Sequence, residues 1–525
     1  MSTPGSASVP TVIEPRHWWL PSFSQFIWLA FFLGLILTQW RLVLINADGD
    51  PCLHWRIGQW MIQHRAVIRV DAFSHTRDGA PLISKEWLAE VAFATLGDAF
   101  GWNGIVLLSA VLIATCLCVL HRQLLAEGNE PLLSTALILV AAWSCSVHWL
   151  ARPHLFTHLF AVLFAWQLRW FNLGRLRAQT LFLSLVPLMI LWVNLHGAFF
   201  TGLVVTGTFL VGDGVTVLVA EPTARFAARR RLVVLAALGL ACMLATLLNP
   251  NGWKLPAHVL EFLRDPFVSR YANEFRSPNF HASGAHGFVA ELTLVALTLL
   301  IMRPKLGVTD MAIVATWGLL ALLAARNVPI FALMVTPILA AHWQTALRSR
   351  NPSPALDRYC RLSANLTQIN RTADGRVITA VVLVALLAVM AKPRLVGGDP
   401  LIATNILSNR FPVAATGFIA AHPRAVNGEM FNDYGWGGYF ILAMPEHKVF
   451  VDGRNDFYGA DLIREFDAVN QVHRDWETVL EKYRVGWTIL PRGHALNNLL
   501  ALRDDWHRVY ADKVAIVYAR DLRKP

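Results

Sequence analysis

The chain reads as an α-helical polytopic membrane protein of about 11 transmembrane helices, closed by a C-terminal soluble α/β domain. Three observations carry this reading. Hydrophobic residues make up 55% of the 525 and charged residues only 15%, against about 25% charged in soluble domains, and the mean hydropathy is +0.44. Apolar runs follow one another from residue 22 to residue 391, several near the roughly 20 residues that cross a hydrocarbon core. Beyond residue 398 the pattern changes to short strand-like runs around one long helical-looking stretch.

The first run, 22–44, follows a polar, Pro-containing segment. It is longer than the roughly 7–15-residue core of a cleavable signal, so it reads as an anchor. The others cover 104–120, 131–150, 155–171, 181–195, 197–219, 232–248, 286–302, 306–325, 328–343 and 377–391. Runs meet with almost no linker at 194–197 and 326–327, which predicts tight hairpins. Cys116, Cys118, Cys145 and Cys242 lie inside apolar runs and read as small buried hydrophobes rather than a disulfide framework.

Lysine and arginine collect in alternate short loops, among them "GRLRAQ", "EPTARFAARRR" and "RPK". The net charge of +11 is therefore a topology signal, and no nucleic-acid partner follows from it. Positive loops stay cytoplasmic, which places the N-terminus inside and the tail on the noncytoplasmic face. The organisation expected is a transmembrane domain over 1–398, with large outside loops at 45–103 and 249–285, and a noncytoplasmic α/β domain over 399–525. In the tail, "HKVFVDG", "VGWTILP" and "KVAIVYAR" predict strands and "DLIREFDAVNQVHRDWETVLEKY" predicts a helix. In loop 249–285, Pro250, Gly252 and Pro256 break the span. Val259, Leu260, Phe262 and Leu263 then oppose Glu261 and Arg264, as in a helix lying on the membrane interface.

Chemistry concentrates where the first run ends. "NADGDPCLHWRIGQW" holds Asp48, Asp50, His54 and Arg56 within one short segment. Carboxylates spaced D-x-D can clamp a divalent cation or act as a base. A merely solvated turn is the plain alternative. No Walker loop, zinc-ligand spacing or nucleophile elbow is present, which excludes ATP-driven and zinc-hydrolase readings.

An acid pair in the first outside loop after an N-in span resembles the GT-C superfamily of membrane glycosyltransferases, which take sugars from polyprenyl-phosphate or -pyrophosphate donors. "DPCLHWR" is similar to the D-P-x-x-x-x-R opening of the oligosaccharyltransferase catalytic subunit. By that match Asp50 is the catalytic acid, with Pro51 and Arg56 in the motif's places. "FNDYGWGGYFI" resembles the W-W-D-Y-G motif that holds the acceptor there. Phe431 and Asn432 replace its two Trp, while Asp433, Tyr434 and Gly435 match. "ARPHLF", "WVNLHGAFF", "LLNPNGW", "ARNVPIF" and "VDGRNDFYG", in that order, resemble a group of bacterial membrane proteins placed in GT-C by fold. One departure stands out: the loop after the third span is "ARPH", with no acid, where oligosaccharyltransferases carry a second acidic motif.

The resemblance implies a bacterial inner-membrane enzyme that moves a sugar from a polyprenyl-phosphate-linked donor to a glycan, lipid or protein acceptor on the periplasmic or extracellular face. Asp50 would be the general base, with Asp48 orienting it or sharing a divalent cation, Mg²⁺ or Mn²⁺. The missing acid favours a base working without a metal cofactor. Arg326, Arg152 and Arg56 would bind donor phosphate, since guanidinium matches phosphate geometry; snorkelling is the bland reading of the first two. His54, His154, His196, Asp433, Tyr434 and Trp436 would contact substrate, or else serve packing. Glu261, Asp265 or Glu274 would supply a second carboxylate if their loop folds over the first. The alternatives are a transporter or flippase of lipid-linked glycans, for which Asp213, Glu291 and Asp310 are the intramembrane ionisable candidates, and an inactive scaffold.

Overall fold

The structure, a computed structural model, describes residues 17–265, 273–302, 306–349, 353–391 and 404–521. It is mostly helical, with one small sheet near the C-terminus. The chain opens with α1 (Phe23–Leu37), started by a capping box: the Ser22 hydroxyl accepts from the Gln25 N–H, and the Gln25 side chain accepts from the Ser22 N–H. The expected uninterrupted span over 22–44 is broken. α2 (Trp40–Asn46) departs from α1 at 69°. Thr38 leaves the helix with extended φ and ψ. Its hydroxyl donates to the Gly34 carbonyl at 2.6 Å and accepts from the Trp40 N–H at 3.3 Å, which holds the bend.

Helices occupy the remaining apolar runs. They are α5 (Trp102–Ala126), α6 (Pro131–Cys145), α7 (His154–Asn172), α8 (Ala178–Leu195), α9 (Phe200–Val219), α10 (Pro222–Ala245), and then His286–Met302, Val308–Leu323, Val328–Ser349 and Arg376–Ala391. Among the described residues 6 helices are long and apolar enough to cross a membrane, or 7 if α1 and α2 count together. The chain is thus a multi-pass membrane protein.

Between α2 and α5 lie two helices of the first large loop, α3 (Asp50–His64) and α4 (Trp87–Phe100). They pack tightly because position 58 is glycine; a Cβ there would sit 1.9 Å from the Glu90 carbonyl oxygen. The second large loop contributes α11 (Lys254–Arg264), with Leu255 buried and Leu260 on the exposed side.

The C-terminal region builds a four-stranded sheet in the order β1-β2-β4-β3, from β1 (Glu429–Asn432), β2 (Val485–Pro491), β3 (Trp506–Ala511) and β4 (Ala515–Arg520). β1 and β2 run parallel and the other pairs antiparallel. "VGWTILP" and "KVAIVYAR" are strands as expected, but "HKVFVDG" joins no strand of this sheet. Val449 instead bridges Ser74 of the first loop, donating to the Phe73 carbonyl and accepting from the His75 N–H. The long helical stretch is two helices, Asn455–Asn470 and Trp476–Lys482.

One apolar core joins the tail to α3. Cys52, Leu53, Ile57 and Met61 pack with Trp436, Tyr439, Phe440 and Met444. Each fully buried side chain of this kind contributes about 1.5–3 kcal/mol. The backbones nearly touch: a Cβ on Gly438 would lie 2.3 Å from the Gly49 carbonyl oxygen. Gly438→Ala should therefore destabilise the full-length protein in detergent by about 1–3 kcal/mol, the range for overpacking a tight site. Gly34→Ala, with nothing near its Cβ, should cost nothing. Equal melting temperatures for the two variants would contradict the docked arrangement.

Candidate active site

The site begins at the turn between α2 and α3. Asp48 accepts the Asp50 N–H at 3.0 Å, an aspartate turn that leads into the helix. Gly49 is required between them, since a Cβ would meet the Gly435 carbonyl at 2.9 Å. Asp50, first residue of α3, then points into a cavity of about 150 Å³.

Seven segments converge on that cavity: α3, the 85–86 segment before α4, the 148–154 corner before α7, the turn after α8, α11, the 274–275 stretch with Arg326 opposite, and the 453–456 loop of the tail. Arg152 holds both carboxylates of the acid pair. Its guanidinium lies 2.5 Å from Asp48 Oδ2 and 3.0 Å from Asp50 Oδ2. Arg326 sits over the Phe275 ring at 4.3 Å and 3.4 Å from Glu274, which also faces Arg152 at 3.8 Å. Lys85 pairs with Asp456 at 2.6 Å, and His258 approaches the other Asp456 oxygen at 3.0 Å. Lys85, Arg152, Arg326 and Arg454 thus share one half-enclosed space with the carboxyls of Asp50, Glu86, Glu274 and Asp456.

Burial is the largest influence on Asp50 and pushes its carboxyl above the ordinary value; Asp48 and Glu274 add to this, and Arg152 opposes it. Burial likewise raises Glu86. Burial alone would raise Glu274 and Asp456 too, but Arg326 with Arg152, and Lys85 with His258, hold them below the usual carboxylate range. Tyr434 is pushed up by burial and by the nearby Asp50 and Asp452 charges.

Of the residues singled out in the sequence, Asp50, His54, Arg152, His154, His196 and Arg326 line the cavity. His154 and His196 are already engaged. His154 Nε2 donates to the His148 carbonyl at 2.8 Å, and His196 Nδ1 bonds the Thr157 hydroxyl at 2.7 Å. Arg56 does not line it and instead bonds the Gln59 side chain at 3.4 Å. Six residues at about 100° each carry it about 240° around α3 from Asp50, whereas His54, four residues on, shares the Asp50 face. Asp433 accepts the Gly435 N–H at 2.9 Å, and Trp436 is buried with its Nε1–H on the Arg410 carbonyl at 2.9 Å. Neither faces the cavity; the tail's aromatic motif packs against α3. Of the three acids offered by loop 249–285, Glu274 reaches the site, while Glu261 and Asp265 are exposed.

No protein-family model matches the chain, and no curated protein matches it in sequence. Solved structures do match. The archaeal oligosaccharyltransferase AglB from Archaeoglobus fulgidus, in complex with an inhibitory peptide and a dolichol-phosphate, aligns with a TM-score of 0.52 at 12% identity, covering 96% of this chain and 74% of that one. ArnT from Cupriavidus metallidurans, bound to undecaprenyl phosphate, aligns with a TM-score of 0.50 at 16% identity, covering 94% and 98%. Both are GT-C membrane glycosyltransferases. The chain has the GT-C fold.

Sequence reasoning missed Lys85, Glu86 and His258. "SKEW" carried no spacing signal; its side chains reach the site only because the first loop, α11 and the tail close on one another. "VDGRNDFYG" in fact does two jobs. Asp452 and Arg454 build an internal network with Asp71 and Tyr458, and Asp456 turns to the cavity.

Arg152 couples the acid pair, so its effect on stability should depend on that pair. Arg152→Ala should lower the melting temperature clearly in the native background and much less when Asp48→Asn and Asp50→Asn are both present. The expected coupling energy is about 0.5–3 kcal/mol. Additive effects would show that Arg152 is held by something else.

Proposed function

We propose that the protein transfers a sugar from a polyprenyl-phosphate-linked donor to an acceptor on the noncytoplasmic face of a bacterial inner membrane, through eleven spans with the N-terminus inside. One observation carries the reading: a half-buried carboxyl of raised pKa at the start of α3, Asp50, shares a cavity with Arg152, Arg326 and Lys85. Glycosyl transfer from a lipid phosphate needs that combination. A base takes the acceptor proton, and cations stabilise the charge that develops on the departing phosphate.

In this scheme Asp50 is the general base. Asp48 orients it through the aspartate turn that leads into α3. Arg326 and Lys85 bind the donor phosphate, and Arg152 neutralises the acid pair. The guanidinium of Arg152 bridges the two carboxylates where a divalent cation would otherwise sit, which supports a base acting without Mg²⁺ or Mn²⁺ at that position. The fold shared with proteins solved with dolichol-phosphate and undecaprenyl phosphate supports a lipid-linked donor. The acceptor is a glycan, lipid or protein. Transport has less in its favour. Asp213 and Asp310 are tied to Arg231 and Arg169 at 2.6 and 3.0 Å, and Glu291 is a single buried carboxyl rather than part of a chain of them.

Reconstituted in vesicles with a set of undecaprenyl-phosphate sugars and a bacterial envelope extract as the source of acceptor, the enzyme should move the sugar to an acceptor and release undecaprenyl phosphate. Asp50→Asn should cut the rate by about 10²–10⁴, the usual contribution of a general base, with folding unchanged. Full activity in that variant would remove Asp50 from the mechanism.

The pH dependence follows from the sign of the shift. A base works only when ionised, and Asp50 holds its proton to a higher pH than an ordinary aspartate. The rate at limiting donor should therefore fall on acidification with a midpoint above the ordinary carboxylate value. Arg152→Gln removes the largest opposing influence and should move that midpoint further up. A limb at or below the ordinary value would exclude Asp50 as the base.

A further inference from the structure

Beside Asp50, on the far side of His54, lies a second cluster. His54 comes from α3, Glu86 immediately precedes α4, and Glu90 lies one turn on. The E-x-x-x-E spacing sets both carboxyls on one helix face, opposite the imidazole. His54 Nδ1 is 3.7 Å from Glu86 Oε2 and 3.5 Å from Glu90 Oε1, and one atom from each residue falls within 4.8 Å of the others. All three side chains are about nine-tenths buried.

The cluster is not balanced as an ion-pair set. Two carboxylates face one imidazole, so even a protonated His54 leaves an excess negative charge. The neighbouring ammonium, Lys85, is taken by Asp456. Glu90 Oε2 is buried without a hydrogen-bond partner, and so is the Ser84 hydroxyl. Both residues line a void of about 50 Å³ that runs under the cluster. A buried acceptor left unpaired costs about 1–3 kcal/mol, so this arrangement calls for a cation.

We propose that His54, Glu86 and Glu90 bind a Zn²⁺ ion. Zinc takes imidazole and carboxylate ligands at about 2.0–2.2 Å in a tetrahedron, which places ligand atoms about 3.3–3.6 Å apart. The two separations from His54 Nδ1 meet that within a few tenths of an ångström, and the two carboxyl oxygens lie within 4.8 Å of each other. The charge closes, because two carboxylates and a neutral imidazole around Zn²⁺ sum to zero. The fourth position opens on the void and suits a water held by Ser84. The outer shell is also built. His196 Nδ1 accepts the Ala198 N–H at 3.4 Å, which leaves Nε2 facing Glu86 Oε1 at 3.4 Å, beside that ligand. A hard ion such as Mg²⁺ wants about six oxygens, and this site offers two carboxyls and a nitrogen. The ion clamps α3 to α4 directly below Asp50, separate from the acid pair that Arg152 bridges. The site does not depend on the glycosyl-transfer reading, and its test uses no substrate.

The full-length protein, purified in detergent, is equilibrated with Zn²⁺, passed over a chelating resin and measured by mass spectrometry of its metals. About one zinc per chain should remain, and His54→Ala and Glu90→Gln should each retain below about 0.2. Zinc should raise the melting temperature of the native protein and not of the variants. Co²⁺ in place of zinc should give the intense visible bands of a tetrahedral site, and this reading on the native protein stands even where a variant fails to fold. Three results would overturn the assignment: no zinc and no cobalt bands, zinc unchanged in both variants, or Mg²⁺ or Mn²⁺ retained in place of zinc.

Discussion

The close passage of two backbones, at Gly49 and Gly438, is the constraint on which the site depends. Any side chain at either position would strike the carbonyl or amide of the facing segment. Nearby, a Cβ on Gly437 would meet the Val451 carbonyl, and one on Gly453 would meet the Asp50 carboxyl. These contacts press the tail against the first turn of α3 and enclose Asp50 between that turn and the 452–456 loop. Glycine is needed here for proximity, not for φ.

Enclosure then dictates the electrostatics. Carboxyls that leave water must find cations, and most do: Asp48 and Asp50 on Arg152, Glu274 on Arg326, Asp456 on Lys85. Buried pairs of this kind add little to stability against apolar packing of the same volume. Their concentration in one cavity is therefore better explained by chemistry than by folding. On the proposed reading, a donor phosphate entering the cavity exchanges with Glu274 and Asp456 for guanidinium and ammonium already oriented toward it.

Much of the fold was legible in the sequence because hydropathy is a property of contiguous residues. The apolar runs, the α/β character of the tail and the strands "VGWTILP" and "KVAIVYAR" can be read this way. The break at Thr38 could not, since it rests on a hydroxyl bonding one turn back. Nor could the fate of "HKVFVDG", an apolar segment that pairs with the first loop because that loop offers it a partner. Asp50 stood out through its D-x-D context and its place after an apolar run. Lys85 and Glu86 did not, being ordinary charges in ordinary loops until the chain brings them together.

The sequence by itself determined that the chain enters a membrane repeatedly and that an acid pair lies where its first apolar run ends. Both follow from local composition, which water and lipid sort without reference to distant residues. Only the tertiary structure decided which charges meet. Arg56, inside the expected motif, turns away because helical phase carries it off the Asp50 face. Arg152, Glu274 and Asp456, some 100 to 400 residues distant in sequence, arrive there because loops pack over a helix end, and sequence spacing holds no record of that closure.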